Sequence, residues 1–394
     1  MTAVGSVGSR HQAHIDDRGL VAPTDRSWSL DWWIGADDRW HIPAREPAVR
    51  QSLVESMPVI RTAMRVPGGD AVEHTYGVGS PAGTIVVEFT NESALPFVVA
   101  LVVRDAHRAT LDDTRLDLDG QPALRLPRPP ARWAATTDAT TEAVVTTGDA
   151  HDGPFAAPHD RGGRLEVAAL YPLAHRARLR VALTPPRTPP GRGIDLDTLP
   201  SPGAAARGWR AQLERGMRAE VPDARLGAAL PAARAAVLLA GARRAVDPTV
   251  VAALEDWGFD AEATTAWARL GWRARRAAAR RPATPGGWAA VDAGLAAGGA
   301  ELLLAVRSLL AHEADDGTLT LLGELPAHWR GQSLEVHDVP TRHGLLSYAV
   351  RWHGRRPALL WDAPLGVQLR APGLDATWET GEPRGDALLE TRVA

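Results

Sequence analysis

Apolar and polar residues alternate through much of the first half of the chain, and this spacing predicts β-strands. The pair Asp119-Gly120 separates two alternating runs and indicates a tight hairpin. Short strands broken by Gly, Pro and Asp are typical of a β-sandwich, which we expect over residues 1–190. The pattern places further strands at Thr84–Ser93, Leu95–Asp105, Glu142–Ala150 and Arg164–Leu183.

Between residues 203 and 316 the apolar residues recur at helical spacing, which predicts five or six helices. Asp223 and Asp247 precede apolar runs and are expected to be N-caps, and Gly258 is expected to end the second of these helices. Pro231 is expected to break or kink the helix that begins after Asp223. The pair Gly298-Gly299 leaves open whether the last helical segment is one helix or two.

The helical region is flanked by a linker and by a second region of alternating residues. Residues 191–202 are rich in Pro and Gly and are expected to form an exposed linker. From 317 to 394 the alternation returns and predicts four or five strands, including a hairpin over His337–Tyr348. One apolar face of the helices is expected to be covered. It should bury Val237, Leu238, Leu239, Leu254, Leu302, Leu303 and Leu310.

Composition narrows the class of protein. The 394 residues include no cysteine, which excludes disulfides and thiolate metal sites. A net charge of −3 gives no indication of nucleic acid or of an anionic membrane as a partner. We see no secretory leader and no run of about 18 apolar residues, so we expect a cytoplasmic protein. The 14 tryptophans stand against 3 tyrosines and 4 phenylalanines, and indoles either line sugar clefts or fill cores.

The stretch "LLGELPAHWRGQSLEVHDVPTRHGLLSYAVRWHGRRPALLWD" (321–362) resembles the closing β-domain of bacterial six-hairpin glycosidases of the glucoamylase and rhamnosidase type. "APGLDATWETGEPRGDALL" is similar to their final strands. "LLAGARRAVDPTVVAALEDWGFDAEA" looks like the helix pairs of their (α/α) toroid, and "VVEFTNESALPFVVALVVR" like their N-terminal sandwich. The resemblance implies a sandwich, a helical toroid and a small β-sandwich, together with action on O-glycosyl bonds.

The chain departs from that family in the length of its helical region. Twelve helices of about 12 residues with loops of about 5 need roughly 200 residues, whereas 201–316 supplies 116. We therefore expect a multidomain α+β protein with an N-terminal β-sandwich, a shortened helical region that forms an incomplete toroid, and a small C-terminal β-sandwich. No acidic residue matches the family's catalytic positions, so the catalytic residues stay unknown.

The segment "SWSLDWWIGADDRWH" (27–41) is the densest cluster of aromatic and acidic residues. Indole faces can stack on a pyranose while carboxylates accept bonds from its hydroxyls. The competing interpretation is that the tryptophans pack inside the protein and the aspartates lie in a turn. The candidate substrate-binding residues are Trp28, Asp31, Trp32, Trp33, Asp37, Asp38 and Trp40.

Three further clusters have a structural interpretation that we prefer. Two clusters contain histidines, and their spacing fits no zinc pattern, so we predict no metal site and no cofactor. They are His328, Glu335, His337, Asp338, His343 and His353, and then His151, Asp152, His159 and Asp160. The third cluster is a set of arginines that we interpret as a solvated helix face, with an acidic partner or phosphorylated sugar as the alternative. It consists of Arg275, Arg276, Arg280 and Arg281.

These patterns lead to a hypothesis about function with alternatives left open. We expect a glycosidase-derived protein of carbohydrate metabolism that lacks catalysis and either binds an oligosaccharide or acts as a scaffold. One alternative is an active glycoside hydrolase whose cleft is built from the N-terminal sandwich and short helices, within one chain or across a homo-oligomer. Another is a purely structural assembly protein. Nucleic acid and membrane partners are not expected.

Overall fold

The computed structural model describes residues 1–79, 83–162, 164–186, 194–272, 274–275 and 286–390. The chain folds into two compact units, Met1–Gly208 and Trp209–Ala394, and it is a mixed α+β protein built mostly from antiparallel sheets. Most of the described helices and all of the C-terminal strands fall in the second of these units. The four segments expected from sequence stay a prediction.

The described part of the first unit contains two eight-stranded sheets. Sheet A has the order β1-β2-β3-β4-β10-β15-β14, with β5 paired to β4, and sheet B has the order β11-β12-β13-β16-β9-β8-β7-β6. The strands are β1 Thr2–Val4, β2 Ala13–Ile15, β3 Val21–Pro23, β4 Ser29–Gly35, β5 Trp40–His41, β6 Val49–Leu53, β7 Val59–Val66, β8 Gly69–Val78, β9 Thr84–Asn91, β10 Phe97–Ala106, β11 Ala109–Asp112, β12 Arg115–Leu118, β13 Gln121–Arg125, β14 Arg132–Thr136, β15 Leu165–Leu173 and β16 Arg178–Leu183.

The two sheets of the first unit share one apolar core. Trp32 and Leu101 from sheet A lie in the same buried cluster as Ile60 and Phe89 from sheet B. The rings of Trp32 and Phe89 are 5.7 Å apart between centroids. Alternate residues of each strand point inward, which is the packing of a β-sandwich. The sheet-rich N-terminal region predicted from sequence is confirmed.

Local turn signals in the first unit were reliable, whereas one short strand prediction was wrong. Asp119 and Gly120 adopt φ angles of 54° and 75° and join β12 to β13, as the hairpin signal predicts. Residues 142–150 were expected to form a strand, but Thr141–Thr146 is a short helix, α1. Periodicity cannot distinguish helix from strand in so short a run.

The described part of the predicted linker packs against the first unit. Ile194, Leu196 and Leu199 are buried. The Nη1 atom of Arg180 donates hydrogen bonds to the carbonyl oxygens of Leu196 and Leu199, both at 2.9 Å. Residues 194–199 are therefore not an exposed linker. Residues 187–193, which include the start of the predicted linker, lie outside the described part of the chain.

The second unit combines helices with two smaller sheets, and its boundary falls inside helix α2. Sheet C has the order β17-β20-β21-β22-β25 and sheet D the order β18-β19-β23-β24. The helices are α2 Pro202–Leu213, α3 Ala224–Gly241, α4 Pro248–Asp256, α5 Asp260–Arg269, α6 Trp288–Ala297 and α7 Gly299–Leu310. The strands are β17 Arg218–Glu220, β18 Ala311–Glu313, β19 Leu319–Leu321, β20 Leu334–Thr341, β21 Gly344–His353, β22 Arg356–Asp362, β23 Leu369–Ala371, β24 Asp375–Thr380 and β25 Arg384–Leu388.

The helix boundaries follow the predicted caps closely. The side chain of Asp223 accepts from the amides of Arg225 and Leu226 at the start of α3. That of Asp247 accepts from the amide of Thr249 at the start of α4. Pro231 was expected to break or kink this helix. It does not break it, because α3 continues through Pro231. Gly298, with φ of 73°, divides the last helical segment into α6 and α7.

The apolar face predicted for the helices is buried in the folded unit. All seven residues named above, from Val237 to Leu310, are at most 2% exposed. Helix α3 is long and apolar enough to span a membrane by length and composition alone, which the sequence pattern did not suggest. Buried residues make up 44% of this helix. A helix in the core of a folded domain can have the same length and apolar composition.

Candidate functional site

The tryptophans of the predicted sugar platform are mostly buried. Trp28 is 4% exposed, and Trp32 and Trp33 are each 1% exposed. Trp32 points into the sandwich core, and its Nε1 donates to the carbonyl oxygen of Arg18 at 3.2 Å. Trp33 lies on the opposite face of sheet A, in a buried cluster with Ile42 and Val145. None of the three indoles can stack on a sugar from solvent, so this part of the platform prediction was wrong.

Asp31 is also engaged inside the protein. Its Oδ2 atom lies 2.6 Å from Nη1 of Arg104 and accepts a 3.3 Å bond from Nε1 of Trp33. Arg104 makes a second ion pair with Glu166 at 3.1 Å. Burial alone would lower the pKa of Arg104, but these two carboxylates raise it. Asp31 thus stabilises one face of sheet A and is not free to bind a sugar.

Asp37 and Asp38 lie in the exposed turn between β4 and β5, and Trp40 follows that turn as the first residue of β5. Buried His41 bridges the carboxylates of Asp38 and Glu46 at 2.9 and 3.2 Å. The hydrogen bond from His41 lowers the pKa of Asp38. Asp37 borders a shallow apolar cavity of about 320 Å³, and Trp40 is partly exposed. The seven predicted residues are therefore divided between a core, a buried ion pair and a turn.

A different aromatic and charged cluster lies in the second unit. It forms where α3 and α6 begin and includes the 3-10 turn Ala327–Trp329. The Oδ2 atom of Asp223 lies 3.1 Å from Nε2 of His328 and 3.3 Å from Nη2 of Arg225. The Nη1 atom of Arg225 lies 3.3 Å from Oδ1 of Asp292. A single guanidinium thus joins a buried carboxylate to an exposed one.

Trp288 is the aromatic centre of this cluster. The guanidinium carbon of Arg225 lies 5.7 Å from the indole centroid. The ring of His328 is 4.9 Å away at 69°, and that of Trp329 is 5.5 Å away at 72°. The backbone N–H of Trp288 donates to Oε2 of Glu324 at 2.8 Å. The indole is partly exposed, so these contacts hold it in place without sealing it.

The chemistry of this cluster favours binding over proton transfer. Burial alone would raise the pKa of Asp223, but hydrogen bonds from the Leu226 amide, His328 and Arg225 outweigh burial and lower it. Asp223 therefore stays ionised near neutral pH and accepts hydrogen bonds that are already in place. A glycosidase acid needs the opposite, a carboxyl that keeps its proton. We define the Trp288 cluster as Arg225, Trp288, Asp292, Glu324 and His328.

The histidine and arginine clusters do not assemble into metal or anion sites within the described residues. There, no three His, Asp or Glu side chains converge as metal ligands would. His337 pairs with Glu335 at 3.1 Å, while His343 faces Glu313 at 3.9 Å. Of the predicted basic face, residues 276–281 lie outside the described part of the chain. The guanidinium of Arg275 donates to the carbonyl oxygen of Leu270.

Sequence comparison adds no identification. No protein-family model matches the chain, and no curated protein matches it in sequence. Sequence patterns had marked Asp223 as a cap and His328 as one of a cluster of surface histidines, but they missed Arg225, Trp288 and Glu324. The signal that could have found Trp288 was its position after Gly286-Gly287, at the start of a helix.

Proposed function

We propose that the chain is a non-catalytic relative of six-hairpin glycosidases and that its second unit binds an oligosaccharide at the Trp288 cluster. In this proposal the six described helices are the remnant of a toroid, and sheets C and D correspond to the closing β-sandwich. The observation that carries the binding proposal is a partly exposed indole held among exposed groups that can donate and accept hydrogen bonds. These groups are Arg225, Asp292, Glu324 and His328.

A sugar fits such a surface better than an apolar ligand does. The C–H face of a pyranose can cover an indole, and its hydroxyls both donate and accept hydrogen bonds. Asp292 and Glu324 supply acceptors, while Arg225 supplies a planar donor. Because Arg225 is already shared between Asp223 and Asp292, the cluster carries no unpaired guanidinium that would demand an anion. A neutral oligosaccharide is therefore the ligand that we propose.

The absence of catalysis is supported by the carboxyl groups. Retaining and inverting enzymes both need a carboxyl of raised pKa beside the glycosidic bond. Among the described residues of the second unit, the pKa values of Asp223, Asp247, Asp316, Glu335 and Asp362 are lowered. Glu73 is a carboxyl whose pKa is clearly raised. It is 1% exposed inside the sandwich, where no substrate can reach it.

Isothermal titration calorimetry of the full chain with neutral oligosaccharides of several linkages tests the binding. We expect a dissociation constant on the order of 1 mM or somewhat lower, because one stacked sugar offsets little of the ordering cost. Trp288→Ala should abolish the heat. Trp272→Ala is the matched control, since Trp272 is 65% exposed and is not part of the cluster. If no oligosaccharide gives heat, or if both variants behave alike, the Trp288 cluster is not the site.

Turnover distinguishes the active hydrolase from the binding protein. We expect no release of the aryl group from a panel of aryl glycosides, with either anomeric configuration. Turnover that a single Glu→Gln or Asp→Asn change abolishes would establish the alternative, an active hydrolase. Absence of both turnover and binding would leave the scaffold as the remaining function.

A further inference from the structure

A second cavity lies in the first unit and belongs to no feature described so far. It has a volume of about 560 Å³ and is bordered by β11 and by residues 155–159. In the described part of sheet B, β11 is an edge strand, so one side of its backbone is not paired with another strand. The volume falls within the range of roughly 300–1,000 Å³ that is usual for small-molecule sites.

One wall of this cavity is apolar and firmly supported. Phe155 packs against Trp133, with 5.0 Å between ring centroids. Phe155, Leu111 and Ala157 also pack against the sandwich core. The wall therefore offers an aromatic face that the core holds in place, and it suits a flat apolar body.

Arg108 borders this cavity. It is exposed, and its guanidinium forms no ion pair with any residue that the structure describes. Asp119 and Asp160, whose N–H groups bond to the carbonyl oxygens of Arg108 and His107, direct their side chains to backbone N–H groups. Oδ1 of Asp119 accepts hydrogen bonds from the backbone N–H groups of His107 and Arg108, at 2.8 and 3.0 Å. Backbone N–H bonds from Gly162 and Arg164 lower the pKa of Asp160.

His159 adds a second polar group to the same rim. Its Nδ1 donates to the carbonyl oxygen of His107 at 3.0 Å. That bond fixes the orientation of the ring and leaves Nε2 as the other nitrogen available to a ligand. The cavity thus combines a supported aromatic wall, a free cation and an oriented imidazole.

We propose that this cavity binds a small organic anion with a flat apolar body, such as an aryl carboxylate. The carboxylate would form a bidentate pair with Arg108, and the ring would lie against Phe155. A neutral sugar would leave the guanidinium unpaired, so the ligand class differs from the one proposed for the Trp288 cluster. The two sites also belong to different units of the chain.

The probe is 2-naphthoate. It is titrated into the full chain, and its binding is monitored by ligand-observed NMR. We expect saturable binding with a dissociation constant on the order of 1 mM. Arg108→Gln should weaken binding by about tenfold, because a charge-assisted pair is lost. Arg10→Gln is the matched control, since Arg10 is an exposed arginine of the same unit that does not border the cavity. The uncharged analogue 2-naphthalenemethanol should bind more weakly than the acid.

Each outcome decides the proposal. Weaker binding in Arg108→Gln alone, together with preference for the acid, supports it. Equal binding by wild type and both variants would mean that the anion does not meet Arg108. Absence of saturation up to about 10 mM naphthoate would overturn the site. Equal affinity for the acid and the alcohol would mean that the cavity selects only for apolar surface.

Discussion

The hydroxyl of Thr75 donates a 3.0 Å hydrogen bond to Oε1 of Glu73 between the two sheets of the first unit. The other carboxyl oxygen, Oε2, is buried and has no hydrogen-bond partner within the described residues. Burial raises the pKa of Glu73 well above its ordinary value of 4.5, and the charges of Asp31 and Asp16 add to the shift. The core of the sandwich therefore favours the protonated form of this carboxyl group.

The first prediction concerns the pH dependence of stability at Glu73. Above pH 4.5 the unfolded chain releases this proton while the folded chain keeps it. The stabilisation is therefore complete below pH 4.5 and is lost as the pH rises toward the folded-state pKa. Over that window the free energy of unfolding should fall by about 1.4 kcal/mol per pH unit from this group alone.

Glu73→Gln should remove that slope, because the amide stays neutral. Urea unfolding at pH 5 and at pH 8 is the measurement, and the stability of the variant relative to wild type should rise with pH. Glu92→Gln provides the control, since Glu92 is an exposed residue that pairs with Arg61. A difference between variant and wild type that stays constant with pH would contradict a neutral Glu73.

The second prediction concerns Gly19, which has φ of +92° and lies against Glu73. A Cβ atom there would be 2.1 Å from Oε2 of Glu73 and 2.7 Å from Nε1 of Trp32. Gly8 is a matched control, because its φ is +77° and nothing lies within 4 Å of its Cβ position. Gly8→Ala should cost about 1–2 kcal/mol from backbone strain. Gly19→Ala should cost roughly 1–3 kcal/mol more, because it also overpacks the core. Equal melting of the two variants would mean that the close approach is absent.

The third prediction compares two helix caps. Asp247→Ala should cost about 1 kcal/mol, the usual loss for an N-cap. Asp223→Ala should cost about 2–3 kcal/mol, because Asp223 is buried and also binds His328 and Arg225. The pKa of Asp223 lies below 3.8, so its contribution is present above pH 3.8 and is lost as the pH falls through its lowered folded-state pKa. Denaturant melts from pH 7 to pH 3 measure both effects. Equal costs at pH 7 would contradict an additional role for Asp223.

The fourth prediction concerns Arg180, which joins buried Glu88 to the segment 194–199. Its Nη2 lies 2.5 Å from Oε2 of Glu88, and its Nη1 holds the carbonyl groups of Leu196 and Leu199. Arg180→Gln should release this segment and leave Glu88 unpaired. Chymotrypsin should then cut after Leu196 in the variant, while wild type resists there. Arg178→Gln is the control on the same strand. Cutting of wild type after Leu196 would mean that the segment is not held.

Sequence patterns predicted the features that depend on neighbouring residues. The caps at Asp223 and Asp247 and the hairpin at Asp119-Gly120 require only a few adjacent positions, and the structure has all three. Trp32 and Trp33 show what such patterns miss. Both faces of β4 are covered, so two consecutive indoles are buried on opposite sides of one strand. Alternation cannot reveal that a strand has no exposed face.

The Trp288 cluster could not be predicted for a related reason. Arg225, Trp288 and Glu324 are separated by dozens of residues, and no short motif connects them. They meet only because α3, α6 and the turn after β19 begin or end at one place. Helix packing determines that meeting, and sequence spacing contains no information about it.

Strand β17 pairs with a strand that is synthesised much later, and this affects how the second unit folds. Arg218 pairs with His337, 119 residues later, and completes an edge of sheet C. Five of the described helices lie between these two partners in the chain. A contact of such long sequence separation forms slowly, because the intervening loop must first be closed. During translation, β17 must therefore wait without its partner strand until the intervening helices and β20 have been synthesised.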